Sequence, residues 1–163
     1  MLKLPNMRDS QSAKLAVGDK APDFTLPDQS KRPVKLADLL GKGPIVLFFY
    51  PKDFSAGCTA EVCAFRDNYE AFTDAGATVI GVSADSTESH DGFVQKHSLP
   101  FILLSDPDSA VHNRYGVEKS FGIVRGRVTY IIDAQGIVQH IFSSQMNINK
   151  HITDALQVVK ELK

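Results

Sequence analysis

Six consecutive apolar residues, Ile45-Val-Leu-Phe-Phe-Tyr50, constrain this chain more than any other segment. A run without polar alternation belongs to a strand buried on both faces, so it needs a sheet covered by a layer on either side. The downstream chain supplies those layers. Helical spacing extends from Cys58 to about Ala75, Thr78–Ser83 reads as a second strand, and Ser86 to His97 as a helix with Ser/Thr capping candidates at its start. Phe101–Leu104 is a third strand, ended by Ser105-Asp106-Pro107, and a short helix covers about Ser109 to Tyr115. Val128–Ile132 and Ile137–Phe142 are joined by Asp133-Ala-Gln-Gly136, a hairpin signal with glycine available for a positive φ. A closing helix runs from about Asn149 to Leu162. Strands alternating with helices predict a largely parallel sheet, and the late hairpin adds an antiparallel edge. The expected architecture is a single α/β sandwich with a central mixed sheet.

The chain has 163 residues, enough for one domain with a substantial core. With 43% hydrophobic and 23% charged residues and a net charge of -1, it has no basic field that would suggest nucleic acid or an anionic membrane. No apolar run approaches the ~20 residues that span a bilayer. The opening segment MLKLPNMRDSQSAK lacks the continuous apolar stretch of a secretory signal, so residues 1–16 are read as a flexible lead and 17–163 as the domain. Two cysteines do not make a disulfide scaffold at this size. A reducing compartment, the cytoplasm by default, favours a catalytic or metal-binding role for them over a structural one.

The chemistry concentrates in Tyr50-Pro-Lys-Asp-Phe-Ser-Ala-Gly-Cys58-Thr-Ala-Glu-Val-Cys63. A buried strand ends, a turn-rich loop follows, and a helix begins near Cys58, at the carboxyl end of the strand where sites gather in open α/β sheets. Unpaired backbone N–H groups and the helix dipole favour an anion there, so thiolate should accumulate. The competing reading of Cys58 is a small buried hydrophobe. At ~100° per residue, Val62, Phe65, Tyr69 and Phe72 form one inward stripe, and Cys58 projects near its middle. Cys63 lies roughly 140° around and ~7.5 Å along the axis, about 8–9 Å away between Cα atoms and beyond the roughly 7 Å disulfide limit. The two thiols can bond only if the first turn or two unwinds.

Pro51-x-x-x-Ser55-x-x-Cys58 resembles the active-site motif of the peroxiredoxins. The C-x4-C spacing to Cys63, with Ala64-Phe65-Arg66-Asp67 after it, is similar to the bacterioferritin comigratory protein, or peroxiredoxin Q, subfamily. The likeness extends from about Val17 and takes in Gly18-Asp-Lys-Ala-Pro-Asp-Phe24, Leu104-Ser-Asp106 and Arg127-Val-Thr-Tyr-Ile-Ile-Asp133. It implies a thioredoxin-like fold with an N-terminal β-hairpin extension. It also implies that Cys58 is the peroxidatic thiol, Cys63 the resolving thiol on the same helix, Pro51 a shield for the thiolate, Ser55 the hydroxyl that binds peroxide, and Arg127 an arginine reaching Cys58 from a neighbouring strand. The chain departs from the pattern at Ser55, where most relatives carry Thr, and at Ala56, where the subfamily usually has Pro; both bear on loop rigidity and leave the reacting groups intact.

The implied activity is a thiol peroxidase for hydrogen peroxide and organic hydroperoxides. It is recycled by thioredoxin or a similar dithiol, works as a monomer and needs no metal, flavin or haem. Two other readings stand beside it. A thioredoxin-type oxidoreductase normally uses C-x-x-C, and a copper or zinc carrier needs thiols that converge. Among other polar residues, Asp85 is expected to cap the following helix, and the scattered histidines, without metal-ligand spacing, are expected at surface or structural positions. A plastid is the alternative compartment.

Overall fold

The run Ile45–Phe49 is a strand with every residue buried, and it lies at the centre of a five-stranded sheet. The computed structural model describes residues 15–120 and 124–162. Among these, β1 (Thr25–Pro27) and β2 (Pro33–Lys35) form the N-terminal hairpin, followed by a short helix, α1 (Leu36–Leu39). Then come β3 (Ile45–Phe49), α2 (Ala56–Asp67), α3 (Tyr69–Asp74), β4 (Thr78–Ser83), α4 (Thr87–His97) and β5 (Ile102–Ser105). The chain finishes with α5 (Ala110–Tyr115), β6 (Lys119–Ser120), β7 (Val124–Arg125), β8 (Val128–Ile132), β9 (Val138–Ser143) and α6 (Ile148–Glu161). The strand order is β5-β4-β3-β8-β9. β3, β4 and β5 run parallel, as the intervening helices require, and β8 runs antiparallel to both of its neighbours. This is the mixed, helix-flanked sheet expected from the sequence, with the expected N-terminal hairpin beside it.

Side chains that alternate along β3 feed two cores. Val46 and Phe48, with Tyr50 just beyond, meet Cys58, Val62 and Phe65 of α2 and Ile152, Ala155 and Val159 of α6. Ile45, Leu47 and Phe49 face Phe24, Leu26, Leu36, Tyr115 and Tyr130 on the other side. Single backbone bridges Lys20–Ile137 and Asp28–Leu104 carry the N-terminal segment from the β9 margin across to the β5 edge. Leu15 packs against the second core; residues 1–14, most of the expected lead, lie outside the described residues, as does Lys163.

The expected helix from Cys58 to Ala75 is two helices, broken at Asn68 (φ -106, ψ 10). The Asn68 side chain donates to the Ala64 carbonyl at 2.8 Å and so occupies an acceptor of the ending helix. The apolar stripe continues straight through the break, which is why spacing alone did not reveal it.

Candidate active site

Helix α2 starts directly beneath the end of β3. The loop between them contains Phe54 in the left-handed region (φ 66), a conformation that costs a non-glycine residue energy and is concentrated at functional turns. Its ring, half exposed, packs 5.0 Å from that of Phe93 on α4. Ser55 is the cap residue, and its carbonyl accepts from Thr59 N–H at 2.8 Å. Its hydroxyl donates to the Lys52 carbonyl at 2.9 Å, which leaves the oxygen's lone pairs open to a further donor. Cys58 is the third helical residue and is wholly buried at the core face, whereas Cys63 is half-buried. Both thiols are free and the helix between them is unbroken, so the separation of ~8–9 Å that such positions have on a helix applies.

Arg127, one residue ahead of β8, carries its guanidinium to this thiol. It is only 5% exposed. Nη1 lies 3.5 Å from Cys58 Sγ and donates to Glu61 Oε1 at 2.6 Å, while Nε donates to the Gln145 carbonyl at 3.1 Å. Two of its nitrogens thus make three contacts, an arrangement suited to a planar group with several donors. Burial disfavours the guanidinium's charge, but the nearby Glu61 and Cys58 outweigh it and hold Arg127 more firmly protonated than usual. A Cβ at Gly57 would stand 2.9 Å from Arg127 Nη2, so the glycine clears the path for this side chain.

Glu61 is a member of the site that the sequence reading missed. It sits one turn after Cys58, fully buried, and burial pushes its carboxyl up to about 7 against the opposing pull of Arg127. Its Oε2 finds no hydrogen-bond partner among the described residues; His151 Nδ1 lies 3.9 Å away. Both ring nitrogens of His151 are engaged, with Thr129 Oγ1 at 2.8 Å and the Ser144 carbonyl at 2.7 Å, and burial pushes its pKa down to about 4. A neutral imidazole therefore stands behind Glu61 at neutral pH. The available signal was a carboxylate on the helical stripe that carries Cys58.

A second buried polar cluster lies under the loop. Asp53 accepts from Tyr50 Oη at 2.6 Å and from Ser89 Oγ at 2.8 Å, and its Oδ2 is 2.7 Å from His90 Nδ1. His90 Nε2 faces the Leu104 carbonyl at 2.9 Å. Asp85 accepts from the Asp53 N–H at 2.8 Å and from Ser83 Oγ at 2.6 Å. The expectation that Asp85 caps α4 is therefore corrected: Ser86 does so, its hydroxyl accepting from Ser89 N–H at 3.1 Å. His90, His112 and His151 are fully buried members of hydrogen-bond networks, and Asp106 accepts from His112 Nδ1 at 2.6 Å at the head of α5. Pro51 is half-buried at the end of β3.

Residues 17–141 match the AhpC/TSA family. The chain is 46% identical over 160 residues to the chloroplastic peroxiredoxin Q of Sedum lineare, covering 98% of this chain and 86% of that one. The crystal structure of peroxidoxin BcpB from Mycobacterium tuberculosis superposes with a TM-score of 0.84 at 35% identity, over 90% of this chain and 97% of that one. The bacterioferritin comigratory protein of Xanthomonas campestris, studied for alkyl peroxide reduction in trapped intermediate and ligand complexes, superposes at 0.78 with 30% identity, over 85% and 90%. Family match, extended identity and shared fold agree with the buried thiol and its arginine: the chain belongs to the AhpC/TSA family, in its peroxiredoxin Q branch, and is a thiol-dependent peroxidase.

Proposed function

We propose that Cys58 is the attacking thiolate and Cys63 the thiol that resolves its sulfenic acid. Arg127 orients the attack, with Ser55 and Pro51 completing the peroxide site. The observation that carries this reading is the buried Arg127 Nη1, which faces Cys58 Sγ at 3.5 Å while anchored on Glu61 at 2.6 Å. The permanent cation stands beside the attacking sulfur, and the same donor fork reaches toward the oxygen that gains charge as the O–O bond breaks. Ser55 Oγ, donating to Lys52, accepts the peroxide hydrogen and turns its far oxygen to the guanidinium. The Cys58 sulfur bonds to one oxygen, the other leaves as alkoxide or hydroxide and takes a proton, and sulfenic acid remains. Cys63 attacks that sulfur, displaces water and leaves an intramolecular disulfide for an external dithiol to reduce.

Complete burial of Cys58 favours hydrogen peroxide and small alkyl hydroperoxides over bulky lipid peroxides. Both cysteines lie in one chain, so resolution needs no second subunit, which supports a monomer. A thioredoxin-like dithiol is the proposed reductant. The chloroplastic location of the Sedum lineare relative supports the plastid over the cytoplasm.

The test mixes reduced protein with hydrogen peroxide and follows peroxide loss coupled to thioredoxin oxidation. Cys58→Ser should abolish turnover. Cys63→Ser should react with one equivalent and then stall as sulfenic acid. Undiminished turnover in Cys58→Ser would overturn the assignment.

A further inference from the structure

Resolution needs a proton acceptor as well as a nucleophile. Cys63 must lose its proton while it attacks, and the displaced hydroxide must gain one. Arg127 and Ser55 surround Cys58, at the first turn of α2, and cannot serve the thiol five residues further along the helix. An imidazole stands there instead. His97 Nδ1, from the last residue of α4, is 3.7 Å from Cys63 Sγ, within hydrogen-bond range for sulfur. In the tautomer that carries its hydrogen on Nε2, the neutral imidazole accepts the thiol hydrogen at Nδ1, and this is the tautomer a base for Cys63 requires.

Independent contacts hold the ring in this position. Arg66, one turn after Cys63, donates Nη1 to the His97 carbonyl at 2.8 Å and ties the later half of α2 to the end of α4. The imidazole packs edge-on against Phe93, with centroids 5.2 Å apart and planes at 87°. Ser98 then turns the chain away in the left-handed region (φ 52). The charged groups around the ring favour its neutral form. Partial burial, followed by Lys96 on its own helix and Arg66 on α2, sets His97 below the ordinary histidine range. The carboxylate of Asp67, next to Arg66 on α2, is engaged with Arg66 Nε at 3.0 Å. Lys96 extends its ammonium over the Phe54 ring, 6.0 Å from the centroid.

We propose that His97 is the general base of the resolving step, its Nδ1 taking the Cys63 proton as Cys63 Sγ attacks the Cys58 sulfenic sulfur. The S–S bond forms, the S–O bond breaks, the leaving hydroxide is protonated to water, and the imidazolium returns its proton to solvent. No oxidant beyond the first peroxide is consumed. Because Cys63 and Arg66 are both held on α4, opening the first turn of α2 delivers Cys58 to a thiol that already faces its base. The inference rests on the assignment of Cys58 and Cys63 above.

Rapid-quench alkylation with mass spectrometry resolves the two steps, since sulfenic acid and disulfide differ in mass. Reduced wild type, His97→Gln and His97→Ala would each be mixed with one equivalent of hydrogen peroxide from about pH 5 to pH 9. Sulfenic acid formation should match wild type within about twofold in both variants. Disulfide formation near pH 7 should fall by about 10²-fold, the usual yield of a positioned general base. The wild-type rate should level off above the His97 titration, whereas the variants should keep rising into alkaline pH. Added imidazole should restore His97→Ala several-fold. Disulfide formation as fast as wild type overturns the role of His97, as does a slower rate with an unchanged pH profile and no response to imidazole. If wild type forms sulfenic acid but no Cys58–Cys63 disulfide, the thiol assignment itself fails, and that outcome is distinct from the others.

Discussion

Glu61 and His151 sit within 3.9 Å of each other in a fully buried site, and burial disfavours the charged form of each. Their consequences for stability have opposite signs. Glu61, raised from 4.5 to about 7, gives stability that is full below pH 4.5 and is lost as pH rises through 7. His151, lowered from 6.5 to about 4, gives stability that is full above pH 6.5 and is lost as pH falls through 4. His97, also lowered, adds a slope of the same sign as His151. Between pH 4.5 and 6.5 the two buried groups offset one another in the wild type. Glutamine cannot titrate, so we expect the urea midpoint of Glu61→Gln to rise more steeply with pH across that window than that of the wild type. Parallel curves would mean that the carboxyl is ionised throughout the window. Neither group was evident from the sequence as part of the site. Glu61 and Arg127 are 66 positions apart, and His151 and Thr129 are 22 apart. A lone buried histidine carries no mark of its partners.

Helix α2 has two halves with different loyalties. Cys58 and Glu61 are bonded to Arg127, whereas Phe65 stacks on Phe48 at 4.4 Å and Arg66 holds the end of α4. Disulfide formation must open the first half, and the second has reason to stay. Amide hydrogen exchange followed by mass spectrometry should show protection lost from about Thr59 to Val62 in the oxidised protein, with Phe65 and Arg66 little changed. Equal protection in both redox states would contradict the need to unwind. A gain in helix propensity would work against the site at Gly57. Gly57→Ala favours the helix by up to about 1 kcal/mol but places its Cβ 2.9 Å from Arg127 Nη2, so the buried guanidinium must shift on its anchors. We expect a melting temperature close to wild type, the helix gain offset by the strained Arg127–Glu61 contact, and a peroxide rate about tenfold lower. The strands of the main sheet were legible from their apolar runs and the helices beside it from their hydrophobic spacing, except for the break at Asn68, across which the spacing continues. The pair β6–β7 and the helix α1 were not, since elements of two to four residues present no period to detect.

Across the whole molecule, the loop above the thiol is anchored to the far edge of the sheet. Asp53 collects Tyr50 from the end of β3, Ser89 and His90 from α4, and through His90 the Leu104 carbonyl of β5. Cutting Asp53→Ala leaves these buried groups without their common acceptor. We expect a loss of about 3 kcal/mol in urea unfolding, the upper end for one buried polar group left unpaired, together with slower peroxide reduction as the loop loosens. A change below about 1 kcal/mol would show that water takes over the role. The motif Pro51…Cys58 indicated where the chemistry lies, but the anchorage joins Asp53 to His90, 37 positions away, and follows from topology. The divided helix sets a limit on endurance. If Cys58 is the attacking thiol as proposed, a sulfenic acid newly formed there waits under Arg127 while the first turn stays closed, and a second peroxide can carry it to sulfinic acid that a dithiol can no longer recover. Each molecule therefore survives a burst of oxidant in proportion to how readily that turn opens. Rigidity at this one place would shorten the protein's working life.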